Sequence, residues 1–560
     1  ASFVEEKRNS SAVADILGAE QISRAGDSDA AGALKRVTGL TLVDGKFVYV
    51  RGLGERYSSV VVNGAQVPSP DPTRRVVPLD LFPTEILNGI LVQKTYTADM
   101  PGEFGGGTIQ LRTRGVPDSF FLKASGTLGY ADGTTGNDGL RYLGGARDWT
   151  GFDDGTREAP DGLLGERLPT NAAELEALGE AVAASGFAIT PKQVGPNTGF
   201  SFSVGDDFNF SDGDWSLGYI AALRYSQNWD TREETRRGFS VLSSGQLIPL
   251  LEYQRHRTER AIDGGAFFST GLTIGEHHNI TGTLFQVRQT TDQAQIDEGL
   301  QSSGNFEQQY ELEWVENELT TRQLDGEHVF TALNNLLLHW QVTEADASRY
   351  SPNKREYRFT FDEGDQVYLY DGVNFIRYET LADDASQRRL DLKWPWDFSE
   401  NGNLTLMAGA DQLERARASA IRRFNFRGRR PAGAVDIDDI FSDEAIAPGG
   451  LFLQDSTQST DSYIASQTLD ATYLAADFSW GKWRANAGVR EERNDQVVIT
   501  QALFNPTTPV IGGIQSTDRL PSASLTWAYS DAAQVRLGYS TTLSRPDFRE
   551  LSTAPWIDPL

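Results

Sequence analysis

The feature that most constrains the fold is a two-residue alternation of apolar and polar side chains, which recurs between residues 120 and 540. In Phe120–Tyr130 the even positions are apolar or small, and residues 535–539 place Val, Leu and Tyr at every second position. A period of two puts the apolar side chains on one face of a β-strand. About thirteen such segments can be counted, which predicts an all-β, antiparallel structure for most of the chain.

The connections between these segments alternate between short and long, as in an up-and-down barrel that crosses an outer membrane. A soluble β-sandwich would share the alternation within strands but has no reason for this rhythm of turns. The short turns are predicted at 212–214, 275–276, 334–335, 400–402, 481–482 and 531–532. The long loops are predicted near 131–197, 229–252, 291–305, 344–378, 426–462 and 501–518.

Tryptophans gather beside the short turns. An aromatic girdle at the lipid headgroups explains this position better than a soluble core, in which tryptophans would not collect at one end. The residues are Trp215, Trp394, Trp396, Trp480 and Trp483.

Hydropathy alone would classify such a chain as soluble, which is misleading for a membrane barrel. The mean hydropathy is −0.41, and no run approaches the roughly 18 to 20 apolar residues of a membrane-spanning helix. A membrane strand needs only about 10 residues, of which every second one is apolar. The low mean hydropathy is therefore compatible with a membrane barrel.

Charge is distributed unevenly along the chain. Residues 1–115 carry 13 basic and 13 acidic side chains, so the whole net charge of −27 lies in residues 116–560. An acidic surface of this kind disfavours nucleic acid as a partner. It favours solvated outer loops that bridge to lipopolysaccharide through divalent cations.

The amino-terminal part of the chain has a different pattern from the rest. Short β-prone runs at Ser59–Asn63, Ile90–Lys94 and Thr108–Arg112 are separated by Gly- and Pro-rich turns. Gly105–Gly107 precede a strand pattern instead of a helix, which disfavours a phosphate-binding loop.

This region resembles the plug domain of TonB-dependent outer-membrane receptors. The resemblance rests on four elements in the family's order and spacing, namely Arg51-Gly52, VVVNG at 60–64, ILVQK at 90–94 and GGGTIQL at 105–111. Further agreement comes from PSPD at 68–71, VPLD at 77–80, Phe82-Pro83 and residues 96–104.

The resemblance implies a fold with two domains: an α+β plug in residues 1–115, inside the lumen of a transmembrane β-barrel in residues 116–560. Barrels of plugged transporters have about 22 strands, so further strands are expected beyond the thirteen counted here. The family's TonB-contacting box, expected upstream of the plug, cannot be located in the sequence.

The function implied by the resemblance is TonB-dependent active transport of a scarce, large solute, of the siderophore, cobalamin or oligosaccharide type. The implied location is the outer membrane of a Gram-negative bacterium. The implied partners are TonB with its inner-membrane energising complex, outer-membrane lipid and lipopolysaccharide, and the solute. An alternative is a docking platform for a secreted protein or lipoprotein, and a soluble β-rich enzyme is a third hypothesis.

Candidate substrate contacts follow from where plugs of this family expose their apical loops. They are Arg56 and Tyr57 in the first loop, and Gln66, Asp71, Arg74 and Arg75 in the second. Arginine offers a planar fork to a carboxylate or phosphate, and tyrosine a surface for stacking. Arg74 and Arg75 have an alternative role, in which they pair with carboxylates of the barrel wall.

No catalytic or metal centre is predicted. Absence of cysteine excludes disulfides and thiolate sites. The five histidines form no ligand pattern, the acidic residues of the longest loop have no calcium-site spacing, and no nucleophile, base and orienting group come together in the sequence. We therefore expect a transporter without a cofactor, and not an enzyme.

Two local helix predictions complete the interpretation. Residues 10–40 are expected to contain helices at 11–17 and 30–37, the second capped by Asp27 or Asp29. A third helix is expected at 171–182 within the longest loop.

Overall fold

The structure is a computed structural model. It describes residues 13–552 apart from residues 28, 44, 73, 75, 211–213, 432–434, 503–504 and 531–532. The predicted turns at 212–214 and 531–532 fall wholly or mostly outside the described residues.

The amino-terminal region, which we call the plug, is built around a five-stranded sheet in the order β1-β6-β7-β4-β5. Strand β4 runs parallel to β7, and the other pairs are antiparallel. Strands β2 and β3 form a separate hairpin. The strands are β1 (Ala14–Gly18), β2 (Leu40–Val43), β3 (Phe47–Val50), β4 (Ser58–Val62), β5 (Ala65–Gln66), β6 (Leu87–Gln93) and β7 (Gly107–Thr113), with helices at Ala19–Ala25 and Ala30–Leu34.

The three β-prone runs predicted in the plug are confirmed as β4, β6 and β7. The helix predicted at 30–37 is also confirmed in a shorter form, and Asp29 caps it by accepting a hydrogen bond from Gly32 N at 2.8 Å. The helix predicted at 11–17 is wrong, because residues from Ala14 onward pair with β6 as an edge strand. Pairing with a distant strand overrides a local helical pattern that had no cap. Residues 11 and 12 lie outside the described residues.

Most of the remaining chain forms one large antiparallel sheet, which confirms the predicted fold class and the strand count. A separate two-stranded sheet, β9 with β10, lies within the longest loop. Thirteen strands are hydrogen-bonded in the order β23-β22-β21-β20-β18-β17-β16-β15-β14-β13-β12-β11-β8, and a short β19 pairs with β18. The bounds are β8 (Phe121–Gly129), β9 (Asp138–Arg141), β10 (Thr190–Gln193), β11 (Asn197–Phe210), β12 (Trp215–Val241), β13 (Leu247–Ile274), β14 (His278–Leu300), β15 (Phe306–Phe330), β16 (Leu336–Asp362), β17 (Val367–Ser399), β18 (Gly402–Gly428), β19 (Leu451–Asp455), β20 (Tyr463–Trp480), β21 (Trp483–Ala502), β22 (Asn505–Ser530) and β23 (Ala533–Ser540).

Four of the predicted long loops are instead extensions of the strands. Hairpins continue from β12 to β13, from β14 to β15, from β16 to β17 and from β21 to β22 across most of the residues expected to be loop. Along much of these extensions polar and charged side chains obscure the apolar alternation that marks a strand in a sequence, although it persists at Tyr357, Phe359 and Phe361 of β16. Their backbone groups are nevertheless satisfied by cross-strand hydrogen bonds.

The outward face of the sheet is apolar near the short turns. The five tryptophans next to those turns are all exposed, which agrees with a surface girdle and not with a core. Leu537 and Tyr539, each 67% exposed, also point away from the protein interior. None of the helices in the described part of the chain is long and apolar enough to cross a membrane.

The longest loop, residues 130–196, packs over the outward face of the strand extensions. Its predicted helix is confirmed as Ala172–Ala183, with Asn171 as the N-cap. Phe187 of this loop stacks on Phe441, which follows a short helix at Ile437–Ile440, with ring centroids 4.3 Å apart. Together with Phe426 of β18 they form an apolar core that is separate from the plug.

Candidate functional site: the plug apex and its seat in the wall

The plug lies against the inward face of the large sheet and contacts it in two ways. On strands β12–β16 the contact is a continuous apolar core, in which the ring of Phe82 meets the edge of Phe285 at 6.3 Å. We call this region the apolar seat. Its wall residues are Ile220, Ala222, Phe267, Phe285, Val287, Leu319, Ala345 and Ala347.

A few polar contacts accompany the apolar seat. Gln289 donates from Nε2 to Asp80 Oδ2 at 3.0 Å, and Lys46 Nζ lies 3.9 Å from the same oxygen. Burial raises the pKa of the Asp80 carboxyl, and these two neighbours oppose the rise. Glu85 pairs with Arg224 of β12.

On strands β17–β22 the wall meets the plug through charged side chains and through two small apolar clusters, and we call this region the polar seat. The clusters pack Tyr96 and Phe104 on Leu520, and Ala98 on Tyr473 and Ala475. Three hydrogen bonds define the polar seat: Arg389 donates to the Asp99 carbonyl oxygen at 3.1 Å, Glu492 accepts from Gly102 N at 2.9 Å, and Arg417 donates to the Ser69 carbonyl oxygen at 3.3 Å. In each hydrogen bond the plug supplies a backbone group.

Each of these wall charges also has an opposite charge within the wall. Arg417 pairs with Asp383 at 2.6 Å, and both side chains are fully buried. Arg389 pairs with Asp391 at 2.6 Å, and Glu492 with Arg490 at 2.7 Å. The charges of the polar seat are therefore compensated without the plug.

The contact at Ser69 fixes which end of the barrel the plug apex faces. Arg417 lies fifteen residues along β18 from Gly402, which adjoins a short turn. At about 3.3 Å per residue this is about 50 Å along a tilted strand, beyond a lipid band about 25 Å tall. The 68–71 segment thus faces the end of the barrel opposite the short turns.

Arg56 and Tyr57, the first pair of predicted site residues, are at the same end. They belong to a 3-10 turn at Glu55–Tyr57, and the Arg56 guanidinium carbon lies 5.4 Å from the centre of the Tyr57 ring. Tyr57 is exposed, and the Arg56 side chain is 52% exposed. This arrangement presents a cation and an aromatic face side by side.

The residues predicted from the second loop have more varied roles. Gln66 is partly buried, and its backbone N–H donates to Gln387 Oε1 at 2.8 Å. The Asp71 N–H donates to the Ser69 hydroxyl at 3.2 Å. Arg74 stacks over the Phe47 ring at 4.2 Å, which is a contact within the plug. Arg75 lies outside the described residues.

The segment 541–551, which we call the strap, was not predicted from the sequence. After β23 the chain turns inward, and Leu543 N donates to the Gly102 carbonyl oxygen at 3.0 Å. Arg545 reaches Glu492 at 2.8 Å, so it joins the polar seat. The strap ends in a short helix, Phe548–Leu551, whose capping box of Asp547 and Glu550 is a sequence signal that could have revealed it.

The strap also touches the candidate site. Glu550 pairs with Arg56, with Nη1 and Oε1 3.0 Å apart and Nη2 and Oε2 3.2 Å apart. The Ser544 hydroxyl donates to the Arg56 carbonyl oxygen at 3.3 Å. Arg56 therefore already holds a carboxylate in this structure.

Metal chemistry has no support in the described part of the chain, where no group of three or more His, Asp, Glu or Cys side chains could hold an ion. His278 faces His328 across the β14–β15 pair, with the Nδ1 atoms 3.2 Å apart, and Trp340 donates to His328 Nε2 at 3.0 Å. This network explains the position of His278 without a ligand.

Comparisons with known proteins agree with this architecture. Residues 267–558 match the family model described as TonB dependent receptor-like, beta-barrel, and residues 6–109 match the TonB-dependent Receptor Plug Domain. No curated protein matches the chain significantly.

Among solved structures, the chain is similar to the siderophore receptor PiuA from Acinetobacter baumannii, with a TM-score of 0.52 and 12% identity over 95% of this chain and 64% of that one. It is also similar to the ferric citrate transporter FecA in its unliganded form, with a TM-score of 0.54 and 12% identity over 94% of this chain and 62% of that one. The chain thus spans less than two thirds of the length of either structure, and at this identity the likeness concerns the fold.

Proposed function

The chain belongs to the TonB-dependent receptor family, and from this premise we propose that it takes part in active uptake of a large, scarce solute across the outer membrane of a Gram-negative bacterium. TonB and its energising complex would act on the plug from the periplasmic side. The process breaks no covalent bond, so no enzymatic activity is proposed. The domain division at residues 115 and 116 is part of the proposal.

The observation that carries the proposal is the exposed pair Arg56 and Tyr57 at the apex of a plug that fills the inward face of the sheet. A guanidinium beside an aromatic face suits a solute that combines an anionic group with a ring. Ferric citrate and some of the ferric siderophore complexes are anionic, and the two similar structures are described as a siderophore receptor and a ferric citrate transporter. Cobalamin and oligosaccharides are the other classes to be tested.

We assign roles to the predicted site residues accordingly. Arg56 and Tyr57 make the first contact with the solute, and Asp71 lies in the neighbouring apical segment. Gln66 and Arg74 hold the second loop in place through Gln387 and Phe47. Arg75 is proposed as a contact on the basis of the resemblance alone.

The experiment is an uptake assay with the full-length gene product in a Gram-negative host that lacks its own receptors. Labelled ferric citrate, a ferric hydroxamate, cobalamin and a maltooligosaccharide are supplied separately. We expect accumulation of at least one of them, and loss of that accumulation when the proton gradient is collapsed. Accumulation that persists without the gradient would contradict energised transport.

A matched pair of variants tests the site. Arg56→Gln should lower uptake, whereas Arg232→Gln, which changes an exposed arginine of a strand extension, should leave it unchanged. Equal uptake by both variants would exclude Arg56 as a contact. Extraction of the protein from membranes only with detergent would support the proposed location.

A further inference from the structure

Glu550 of the strap occupies the position on Arg56 that an anionic substrate group would take. Both carboxylate oxygens lie near the guanidinium: Nη2 donates to Oε2 at 3.2 Å, and Nη1 is 3.0 Å from Oε1. This arrangement is close to the two-point geometry that arginine offers to carboxylates and phosphates. The partners are separated by 494 residues, so the contact is tertiary and not a consequence of local chain geometry.

The ion pair itself is weak and accessible. Arg56 is 52% exposed and Glu550 is 43% exposed. Pairs with such exposure are screened by water and salt and contribute about 0–1 kcal/mol. An incoming anion therefore needs little energy to separate Glu550 from Arg56.

The rest of the strap is firmly held, which confines the movement to one side chain. Phe548 is buried against Tyr463 and Val498, and Arg545 is buried where it pairs with Glu492. The short helix that carries Glu550 is thus fixed to the wall, so departure of its carboxylate from Arg56 disturbs only one further contact, the hydrogen bond that Oε2 accepts from the Asp547 N–H at 3.1 Å.

We propose that Glu550 is an internal substitute for the anionic group of the substrate, and that substrate binds by displacing it from Arg56. This inference rests on the proposed function, and it specifies the substrate class as one that presents a carboxylate or phosphate to the first apical loop. Displacement also severs a contact between the plug and the strap, so that occupancy of the site loosens one attachment of the plug to the wall.

The test compares equilibrium binding of ferric citrate, which is anionic, and a neutral ferric trihydroxamate to the full-length protein in detergent. Glu550→Gln is the informative variant, because glutamine keeps the capping box of the short helix and removes the charge. Glu158→Gln, at an exposed carboxylate of the longest loop, is the matched control.

We expect Glu550→Gln to bind ferric citrate up to about fivefold more tightly than the parent, because a half-exposed ion pair contributes at most about 1 kcal/mol. The affinity for the neutral complex should not change. Arg56→Gln should weaken ferric citrate binding, and Glu158→Gln should have no effect.

Suppose that the parent and Glu550→Gln bind ferric citrate with equal affinity while Arg56→Gln binds it more weakly. This result would overturn the role of Glu550 as an internal substitute for the substrate anion, and it would leave the proposed uptake intact. Tighter binding of both complexes would also overturn this role, since the effect would not depend on charge. No binding of ferric citrate by any form would reject a carboxylate ligand at Arg56, and the uptake assay decides separately whether transport occurs.

Discussion

The two seats of the plug hold it by different physical means. On β12–β16 the plug and the wall share one apolar core, so separation exposes hydrocarbon to water. On β17–β22 the wall offers charged side chains that are already paired, and the plug adds neutral backbone groups and two small apolar clusters. The comparison indicates that the larger apolar seat is the main anchor of the plug, whereas the hydrogen bonds of the polar seat can be exchanged for water.

The largest effect is expected from Phe285→Ala in the apolar seat. This change removes a buried ring that packs on Phe82, and such truncations cost about 3–5 kcal/mol. Urea unfolding of the plug in the full-length protein should shift by that amount. Leu324→Ala on the outward face of β15 is the control, and equal shifts for both variants would contradict the anchoring role.

Asp383→Asn should lower the stability of the wall, by somewhat less than Phe285→Ala lowers that of the plug. The Asp383 carboxylate neutralises both Arg415 and Arg417, so its loss leaves buried positive charge and costs about 3 kcal/mol. The measurement is thermal unfolding of the barrel. Asp346→Asn removes the partner of Arg322 in an exposed pair and should cost less than about 1 kcal/mol. Equal losses of thermal stability in Asp383→Asn and Asp346→Asn would contradict the special importance of the buried charges of the polar seat.

A single plug contact of the polar seat should matter less. Gln387→Ala removes the acceptor for the Gln66 N–H, a neutral hydrogen bond that contributes about 0.5–1.5 kcal/mol. It also removes the donor to Asp411 Oδ1 at 2.7 Å within the wall, so the local readout at Gln66 is the informative one. Hydrogen exchange at the Gln66 amide should become faster, while exchange in β6 stays unchanged. If hydrogen exchange at the Gln66 amide is as slow as in the parent, water does not replace the lost hydrogen bond to Gln387.

The smallest expected effect is a pH dependence of plug stability that arises from Asp80. Its pKa is raised by burial, so the folded plug binds the proton more tightly than the unfolded chain does. Stability should therefore fall as the pH rises above the ordinary aspartate value of 3.8. Asp80→Asn should remove this part of the dependence in unfolding curves measured from pH 3 upward, and a steeper dependence in the variant would refute the assignment.

Much of the fold could be predicted because it depends on side-chain period. Alternation marks the lipid-facing strands, and Asn171 marks the start of the loop helix. The strand extensions were not predicted in this way, since polar and charged side chains interrupt the alternation along much of their length while their backbones continue to pair.

The candidate site was predicted only in part. A family resemblance indicates which plug loops face the apex, and Arg56 and Tyr57 are exposed there as expected. The partner of Arg56 could not be identified, because nothing in the local sequence relates it to a glutamate 494 residues away. The Arg74 guanidinium stacks on Phe47, a contact that the local sequence did not indicate, and pairing of Arg74 with the wall stays a prediction.

The internal pairing of the wall arginines has a consequence for the energetics of plug movement. Because Asp383, Asp391 and Arg490 keep their partners when the plug leaves, its release creates no isolated ion in a medium of low polarity. Solvent molecules can replace Ser69, Asp99 and Gly102 one at a time. Separation of the plug from this side of the wall would therefore proceed as gradual hydration, in many small steps instead of one large one.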